Sequence, residues 1–233
     1  MYSVLFNCIF CMQKIIHPLQ QTTFTFVVQR ENLMAVTYPT TSSLTGIIIL
    51  AAGSSSRLGQ PKQNLIYRGQ TLLQRAVETA VSTACETILV VLGGNADTII
   101  PTISNIKVNV IENIDWAGGM STSIKSGIIE IQKINPAINA VILMLCDQPF
   151  VDTHLLNMLI LSQTKSGIAA CAYNGTIGPP ALLNKIYFNQ LINLKGNEGA
   201  KNLLSKYADI LTILPYEPGS IDIDTIEDFN RLS

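Results

Sequence analysis

Carboxylates at two places in the chain could hold a metal ion. Asp147 directly follows an apolar run, residues 140 to 146, that contains no charged side chain. A carboxylate at the end of a buried strand needs water, a partner or a cation, because an unpaired buried charge is very costly. Carboxylate oxygens are the ligands that a hard cation such as Mg²⁺ prefers. Asp147 is therefore a candidate metal ligand.

The second group of carboxylates lies near the C-terminus, where the chain reads DIDTIED from Asp222 onward. Asp222 and Asp224 point to the same side if this segment is extended, so either could join Asp147 at a cation. A structural role is an open alternative, because carboxylates also cap the starts of helices. Thr225 and Asp228 have the spacing of a capping box and predict a short C-terminal helix.

A loop rich in small residues could bind phosphate. After the apolar run GIIILAA the chain reads GSSSRLGQPKQ, starting at Gly53. Small residues after a strand let backbone N–H groups approach a phosphate closely, while Arg57 and Lys62 supply positive charge. A P-loop is excluded, because Gly53 and Gly59 are too far apart and Gln63, not Ser or Thr, follows the lysine.

Strands and helices alternate along the chain from residue 45 onward. Continuous apolar runs predict strands, and apolar residues at helical spacing predict helices. The strands are predicted at residues 46–52, 87–92, 107–111, 140–146, 167–173 and 210–214, and the helices at 71–84, 121–133, 152–163, 198–207 and after 225. This alternation predicts a Rossmann-like three-layer α/β/α sandwich with a mostly parallel sheet.

The carboxyl ends of the strands are the expected place for a ligand in such a sheet. The loops at Gly53 and Gly93 and the acid Asp147 all follow predicted strands. A dinucleotide site is disfavoured, because it needs an acid at the end of the second strand. That strand ends in Leu92-Gly93-Gly94.

The composition describes a compact chain with few charges. Only 13% of the 233 residues are charged and the net charge is -1, whereas average soluble proteins carry about 25% charged residues. A disordered chain and a basic nucleic-acid-binding protein are therefore excluded. No apolar run reaches the roughly 18 residues of a membrane span, and five scattered cysteines do not suggest a disulfide framework. We expect a cytoplasmic protein with no nucleic-acid or membrane partner.

Residues 1–44 lack the periodicity of the rest of the chain. We expect them to form an N-terminal extension, either a start-site artefact, since Met34 could begin translation, or a poorly ordered arm. One domain is then expected at residues 45–233.

The segment from Leu50 to Lys62 resembles the L-A-A-G-x-S-x-R-x-G-x-x-K signature of the molybdenum cofactor cytidylyltransferase-like proteins, which are MobA-like NTP transferases. The matching positions are Leu50, Ala51, Ala52, Gly53, Ser55, Arg57, Gly59 and Lys62. The D-Q-P turn at Asp147 and the D-I-D-T segment are similar to those of the same family, and the resemblance covers residues 46 to 232. It implies a nucleotide-diphospho-sugar transferase-like fold and nucleotidyltransferase activity.

The resemblance also implies a role for each group of residues. It makes Arg57 and Lys62 catalytic, and it makes Asp147 and Asp224, with Asp222 as a further candidate, the ligands of Mg²⁺ on the nucleotide phosphates. The residues implied to bind the nucleotide are Leu50, Ala51, Ala52, Gly53, Gly93, Gly94, Asn95, Gly119, Ser121 and Ser123. Those implied on the acceptor side are Gly178, Pro180 and Lys201. Near them, Asn197 and Lys201 depart from the family's usual Asp and Arg.

The implied reaction transfers CMP from CTP to molybdopterin, a form of the molybdenum cofactor, and releases pyrophosphate. A molybdoenzyme that receives the product would be a further partner. Guanylyl transfer to molybdopterin and cytidylyl transfer to a sugar or polyol phosphate are alternatives within the same class. From other classes, a nicotinamide-dependent oxidoreductase would share the sheet, and a non-catalytic chaperone would bind the cofactor without consuming an NTP.

Overall fold

The computed structural model describes residues 12–16, 22–26, 44–55, 58–85, 87–162 and 166–232. The chain divides into two units, the first ending at Ser43 and the second beginning at Leu44. In the first unit, β1 (Met12–Ile16) and β2 (Thr22–Phe26) pair in antiparallel fashion. Most of the predicted extension lies outside the described residues, and the predicted division of the chain at residue 44 stays a prediction.

The second unit is built on a seven-stranded sheet and a small hairpin. The hairpin pairs β4 (Ile66–Tyr67) with β5 (Gln70–Thr71). The sheet has the order β11-β9-β10-β8-β3-β6-β7. Its strands are β3 (Thr45–Ala51), β6 (Thr87–Leu92), β7 (Asn109–Glu112), β8 (Ala140–Leu145), β9 (Ile168–Tyr173), β10 (Thr176–Asn184) and β11 (Thr212–Pro215).

The sheet is mostly parallel, as predicted, but one strand runs against its neighbours. β3 pairs in parallel with β6 and β8, β6 with β7, and β11 with β9. β10 is antiparallel to both β8 and β9. The sequence does not predict this strand, because Pro179 and Pro180 argue against a strand in the interior of a sheet. A register shift between Gly178 and Ala181 accommodates them.

Seven helices accompany the sheet in the part of the chain that the structure describes. They are α1 (Leu72–Val81), α2 (Ala96–Ile103), α3 (Met120–Ile134), α4 (Thr153–Leu161), α5 (Phe188–Ile192), α6 (Ala200–Lys206) and α7 (Ile226–Asn230). The predicted capping box of Thr225 with Asp228 is present, and Thr71 forms another with Gln74 at the start of α1. α2 and α5 were not predicted from the sequence. None of these helices is long and apolar enough to cross a membrane.

The sheet is covered on both faces, so the predicted three-layer sandwich is confirmed. Side chains of a strand alternate between the two faces. Ile47 and Ile49 of β3 pack in one hydrophobic cluster with α1, α2 and α4. Ile48 and Leu50 pack in the other with α3, α5 and α6. This double burial explains why the strands are continuous apolar runs rather than alternating ones.

Gly127 of α3 packs closely against the sheet. A Cβ added there would lie 2.8 Å from Cγ2 of Ile48 and 3.2 Å from Cγ2 of Val91. Overpacking a filled core costs about 1–3 kcal/mol. We therefore expect Gly127→Val to lower the free energy of unfolding by about that amount, measured by urea denaturation.

Lys125→Val is the matched control, because Lys125 is exposed on the same helix. It places the same β-branched residue in water, and its effect should stay within about 0.5 kcal/mol. Equal unfolding free energies for the two variants would contradict the close packing of α3 on β3.

Candidate active site

The loop after β3 is held by one buried side chain, Gln63. Its Nε2 donates hydrogen bonds to the carbonyl oxygens of Ala51, at 2.6 Å, and Gly53, at 3.2 Å. Ser55 has a positive φ of 53°, and its hydroxyl accepts a hydrogen bond of 2.9 Å from the backbone N–H of Lys62. These bonds fix both the loop and the backbone from which Lys62 extends.

Lys62 is the positive centre of the site. Its ammonium group forms an ion pair with Oδ2 of Asp147 and lies 3.0 Å from Oδ1 of Asp224. The side chains of Lys62 and Asp147 are only 15% and 12% exposed, whereas that of Asp224 is 45% exposed. The loop and both groups of carboxylates singled out in the sequence therefore meet at one ammonium group.

A backbone hydrogen bond joins the two carboxylate segments. The N–H of Ile223 donates to the carbonyl oxygen of Asp147 at 3.0 Å. The Ile223 side chain is fully buried in a small cluster with Leu65, Tyr67 and Leu72. This anchoring holds the residues on either side of Ile223 at the end of β8.

The carboxylates change the ionisation of the groups around them. Burial opposes the charge of Lys62, but attraction to Asp147 and hydrogen bonds to Asp147 and Asp224 outweigh it and raise the pKa of Lys62 above its ordinary value. Lys62 therefore stays positively charged. Partial burial and then the negative charge of Asp147 raise the pKa of Asp222 to about 6. Asp222 is also open to water, which screens part of this repulsion.

The carboxylates fit a divalent cation that is bound together with phosphates. Oδ1 of Asp147 is buried and has no hydrogen-bond partner. Because buried polar atoms are normally paired, this oxygen is available to a metal ion. In the described ranges, no three His, Cys, Asp or Glu side chains stand close enough to hold a metal by themselves. Mg²⁺ does not need such a cage, because it is usually bound by one or two carboxylates and the phosphates of a substrate.

Asn113 organises the start of α3, which forms another wall of the site. Its side chain is buried, and Nδ2 donates to the hydroxyl oxygens of Thr122, at 2.8 Å, and Ser123, at 3.0 Å. Its Oδ1 accepts from the N–H of Asp115 at 3.1 Å. One side chain thus joins the loop after β7 to the first turn of α3.

Gly119 brings a second loop against the start of α3. Its φ is +100°, and a Cβ there would lie 2.4 Å from the carbonyl oxygen of Gly196. A side chain would therefore be strained and would collide with backbone. The N–H of Ser121 donates to the same carbonyl oxygen at 3.1 Å. Asn197 is thereby placed beside the start of α3.

The loop after β3, the end of β8 and the start of α3 line one cleft of about 350 Å³, whereas Asp222 and Asp224 are not part of its lining. Eight of the residues singled out in the sequence are among its lining: Leu50, Ala51, Ala52, Gly53, Lys62, Gly119, Ser123 and Asp147. Gln63, Trp116 and Asn197 also line it. The cleft lies at the carboxyl ends of β3 and β8, the edge of the sheet where a ligand was predicted.

The predicted residues of the Gly93 loop lie next to the wall of the cleft but do not line it. A Cβ on either Gly93 or Gly94 would come within 3.0 Å of the Trp116 side chain, so both glycines lie under it. They and Asn95 are not part of the cleft lining. Ser121 is buried in the first turn of α3 and does not line the cleft either. Nucleotide binding by these four residues stays a prediction.

The predicted acceptor residues also lie outside the cleft lining. Gly178 and Pro180 belong to the irregular stretch of β10. The Gln148 side chain ties this stretch to the D-Q-P turn, because its Nε2 donates to the carbonyl oxygen of Pro179 at 3.3 Å. Lys201 is exposed on α6. Their role toward an acceptor stays a prediction.

The residues predicted from the sequence and those that line the cleft differ at a few positions. Arg57 lies outside the described residues, and its catalytic role stays a prediction. Gln63 and Trp116 line the cleft but were not predicted as site residues. Nothing in the sequence pattern distinguishes a buried, bonded Gln63 from an exposed one. The Trp116 side chain also packs on Gly93 and Gly94.

Gln63→Met tests the hold of this side chain on the loop. Methionine has a similar length but donates no hydrogen bond, so the carbonyl oxygen of Ala51 would lose its partner. A buried polar group left unpaired costs about 1–3 kcal/mol, and we expect the free energy of unfolding to fall by that amount. Gln60→Met is the control, because Gln60 is exposed in the same loop. Indistinguishable unfolding curves for the two variants would refute this role.

Two relatives that carry different names are similar to this chain over most of their length. Nicotine blue oxidoreductase of Paenarthrobacter nicotinovorans is 28% identical over 196 residues, which are 79% of this chain and 94% of that protein. Molybdenum cofactor cytidylyltransferase of Escherichia coli (strain K12) is 27% identical over 183 residues, which are 78% of this chain and 92% of that protein.

A solved structure and a family model agree with the fold. The crystal structure of Rv0371c from Mycobacterium tuberculosis H37Rv superimposes with a TM-score of 0.71 at 27% identity, covering 82% of this chain and 97% of that one. A further structure of Rv0371c is described as a complex with manganese (TM-score 0.69, 26% identity, covering 81% and 97%). The model described as "MobA-like NTP transferase domain" matches residues 47–210. The chain therefore belongs to the MobA-like NTP transferase family and is a nucleotidyltransferase related to molybdenum cofactor cytidylyltransferase.

Proposed function

We propose that this nucleotidyltransferase transfers CMP from CTP to the phosphate of molybdopterin and releases pyrophosphate, with Mg²⁺ as the divalent cation. The observation that supports this most is the ion pairing of Lys62 with Asp147 and Asp224. Lys62 and Asp147 line the cleft together with the end of β3 and the start of the loop that follows it. The ammonium group of Lys62 and two carboxylates, beside the exposed backbone of Gly53, suit a triphosphate with a bound metal ion. A molybdoenzyme recipient in the cytoplasm is part of the same proposal.

The backbone loop and the start of α3 would hold the nucleotide. Gly53 is exposed and no atom lies within 4 Å of a Cβ built on it, so its backbone is open to a ligand. Ser123 lines the same cleft and presents a hydroxyl group. Neutral donors of this kind bind phosphate or ribose without adding charge.

Asp147 and Asp224 would hold the divalent cation. Both carboxylates contact the ammonium group of Lys62, so they lie close together, and Oδ1 of Asp147 has no hydrogen-bond partner. Asp222 is a weaker candidate, because burial and, to a smaller extent, the negative charge of Asp147 raise its pKa to about 6. The cation supplies charge neutralisation on phosphate oxygens. The manganese complex of Rv0371c supports a divalent metal in this family.

The reaction itself needs positioning and positive charge more than acid–base chemistry. An acceptor phosphate oxygen forms a bond with the α-phosphorus, the bond from that phosphorus to the bridging oxygen of the β-phosphate breaks, and pyrophosphate leaves. Lys62 would donate hydrogen bonds to the phosphate oxygens as negative charge develops on them. Arg57 would act in the same way.

The acceptor would bind near Asn197 and the stretch of β10 that contains Gly178 and Pro180. Asn197 lines the cleft, and Gly178 and Pro180 are tied to the D-Q-P turn through Gln148. Molybdopterin is favoured because the cytidylyltransferase relative is matched over 92% of its length. Guanylyl transfer and transfer to a sugar or polyol phosphate use the same donor chemistry and are outcomes that the assay below separates.

An oxidoreductase is the second candidate, because the relative from Paenarthrobacter nicotinovorans carries that name. Two observations disfavour a nicotinamide dinucleotide in this chain. Gly93, Gly94 and Asn95 follow the second parallel strand, so an acid for the ribose hydroxyl groups is missing. In addition, the indole of Trp116 lies against Gly94.

A pyrophosphate-release assay separates these possibilities. Each of the four NTPs is tested with Mg²⁺ and with molybdopterin, sugar phosphates or polyol phosphates, while oxidation of NADH and NADPH is followed in parallel. We expect release with CTP and molybdopterin. Pyrophosphate release with GTP and with no other NTP would identify GTP as the donor. Oxidation of NADH without pyrophosphate release would favour the oxidoreductase. Cofactor binding with neither reaction would favour a chaperone.

Asp147→Asn should lower the rate of CTP-dependent pyrophosphate release at least about 100-fold, the scale on which lost transition-state stabilisation acts. The amide keeps the size of the side chain but removes the negative charge that would hold the cation. Circular dichroism checks that the fold is kept. Asp209→Asn is the matched control, because Asp209 is exposed after α6. A rate in Asp147→Asn equal to that of the control would remove Asp147 from the metal site.

A further inference from the structure

We infer that Lys62 occupies the place of the metal cation between Asp147 and Asp224 in the ligand-free protein, and that the cation must displace it. This inference rests on the proposed function, because it takes the two carboxylates as the metal ligands. Lys62 would pair with the two carboxylates before the substrate binds and with the phosphates of the substrate afterwards.

The geometry supports this exchange. The Lys62 ammonium pairs with Oδ2 of Asp147 and lies 3.0 Å from Oδ1 of Asp224. The Lys62 and Asp147 side chains are almost removed from water, so their charges are weakly screened. A divalent cation held by these two carboxylates would lie only a few ångströms from the ammonium group that pairs with both of them. Positive charges at such a short distance repel each other strongly.

The movement needs only the side chain of Lys62. Its backbone is held by the hydrogen bond to Ser55 and by the buried neighbour Gln63. The four-carbon side chain of a lysine is flexible and its ammonium group is a point charge that can change partners. Without a nucleotide, a displaced Lys62 would lose both carboxylates and gain nothing in return. A metal alone should therefore bind weakly, and a metal with a triphosphate should bind more tightly.

Direct Mn²⁺ binding without nucleotide tests this. Electron paramagnetic resonance titrations compare the wild-type protein with Lys62→Met and Lys133→Met. Lys133 is the control for the change in net charge, because it pairs with Glu130 on the surface of α3. We expect Lys62→Met to bind Mn²⁺ at least about tenfold more tightly than the wild type, the scale on which groups around a site change metal affinity. Lys133→Met should bind like the wild type. Equal, weaker or unmeasurable binding to Lys62→Met would overturn the inference.

A second measurement uses the wild-type chain and does not depend on the fold of a variant. Acetylation of lysines is followed by mass spectrometry with and without saturating Mg²⁺. A paired, partly buried Lys62 should react slowly, and Mg²⁺ should raise its rate severalfold while the rate at Lys133 stays unchanged. No change at Lys62 with Mg²⁺ bound would overturn the inference.

Asp147→Asn separates this inference from the proposed function. If Asp147→Asn binds Mn²⁺ with CTP as tightly as the wild type does, the metal site of the proposed function is wrong. If the loss of Asp147 abolishes that binding but Lys62→Met gains no affinity for Mn²⁺ alone, the metal site stands and only the displacement of Lys62 is wrong.

Discussion

A carboxylate buried at the end of a central parallel strand needs a positive charge beside it, and Lys62 supplies that charge from 85 residues earlier in the chain. Because an unpaired buried carboxylate is so costly, the loop after β3 and the turn after β8 are bound to each other in the ligand-free protein. The segment that carries Asp224 joins the same ammonium group and is pinned by the buried side chain of Ile223. The site is thus held by the same interactions that neutralise its charges.

The remaining contacts serve to keep backbone open around this charged centre. Gln63 donates hydrogen bonds to the carbonyl oxygens of Ala51 and Gly53, and all three residues line the cleft. Gly119 allows the backbone of Gly196 to approach the start of α3 without a side chain between them. The cleft therefore has neutral, hydrogen-bonding walls and one compact charged group. A near-neutral chain with few charged residues is well matched to such a site.

The same domain serves relatives named as a transferase and as an oxidoreductase. A shared fold does not by itself define an activity, because the chemistry lies in the side chains placed on it. In this chain the side chains at the cleft suit phosphate and a divalent cation. The glycines where a dinucleotide would bind are covered by Trp116. The family membership and the contents of the cleft therefore point to the same class of reaction.

The layers of the fold and the main charged residues of the site can be predicted from the amino-acid sequence. Continuous apolar runs identify doubly covered strands, and the residues after those strands must lie at one edge of the sheet. The sequence could not determine β10, whose two prolines oppose a strand until a register shift accommodates them. Nor could it show that Gln63 is buried or that Lys62 bridges Asp147 and Asp224. Those facts depend on distances between segments far apart in the chain, and only tertiary packing sets such distances.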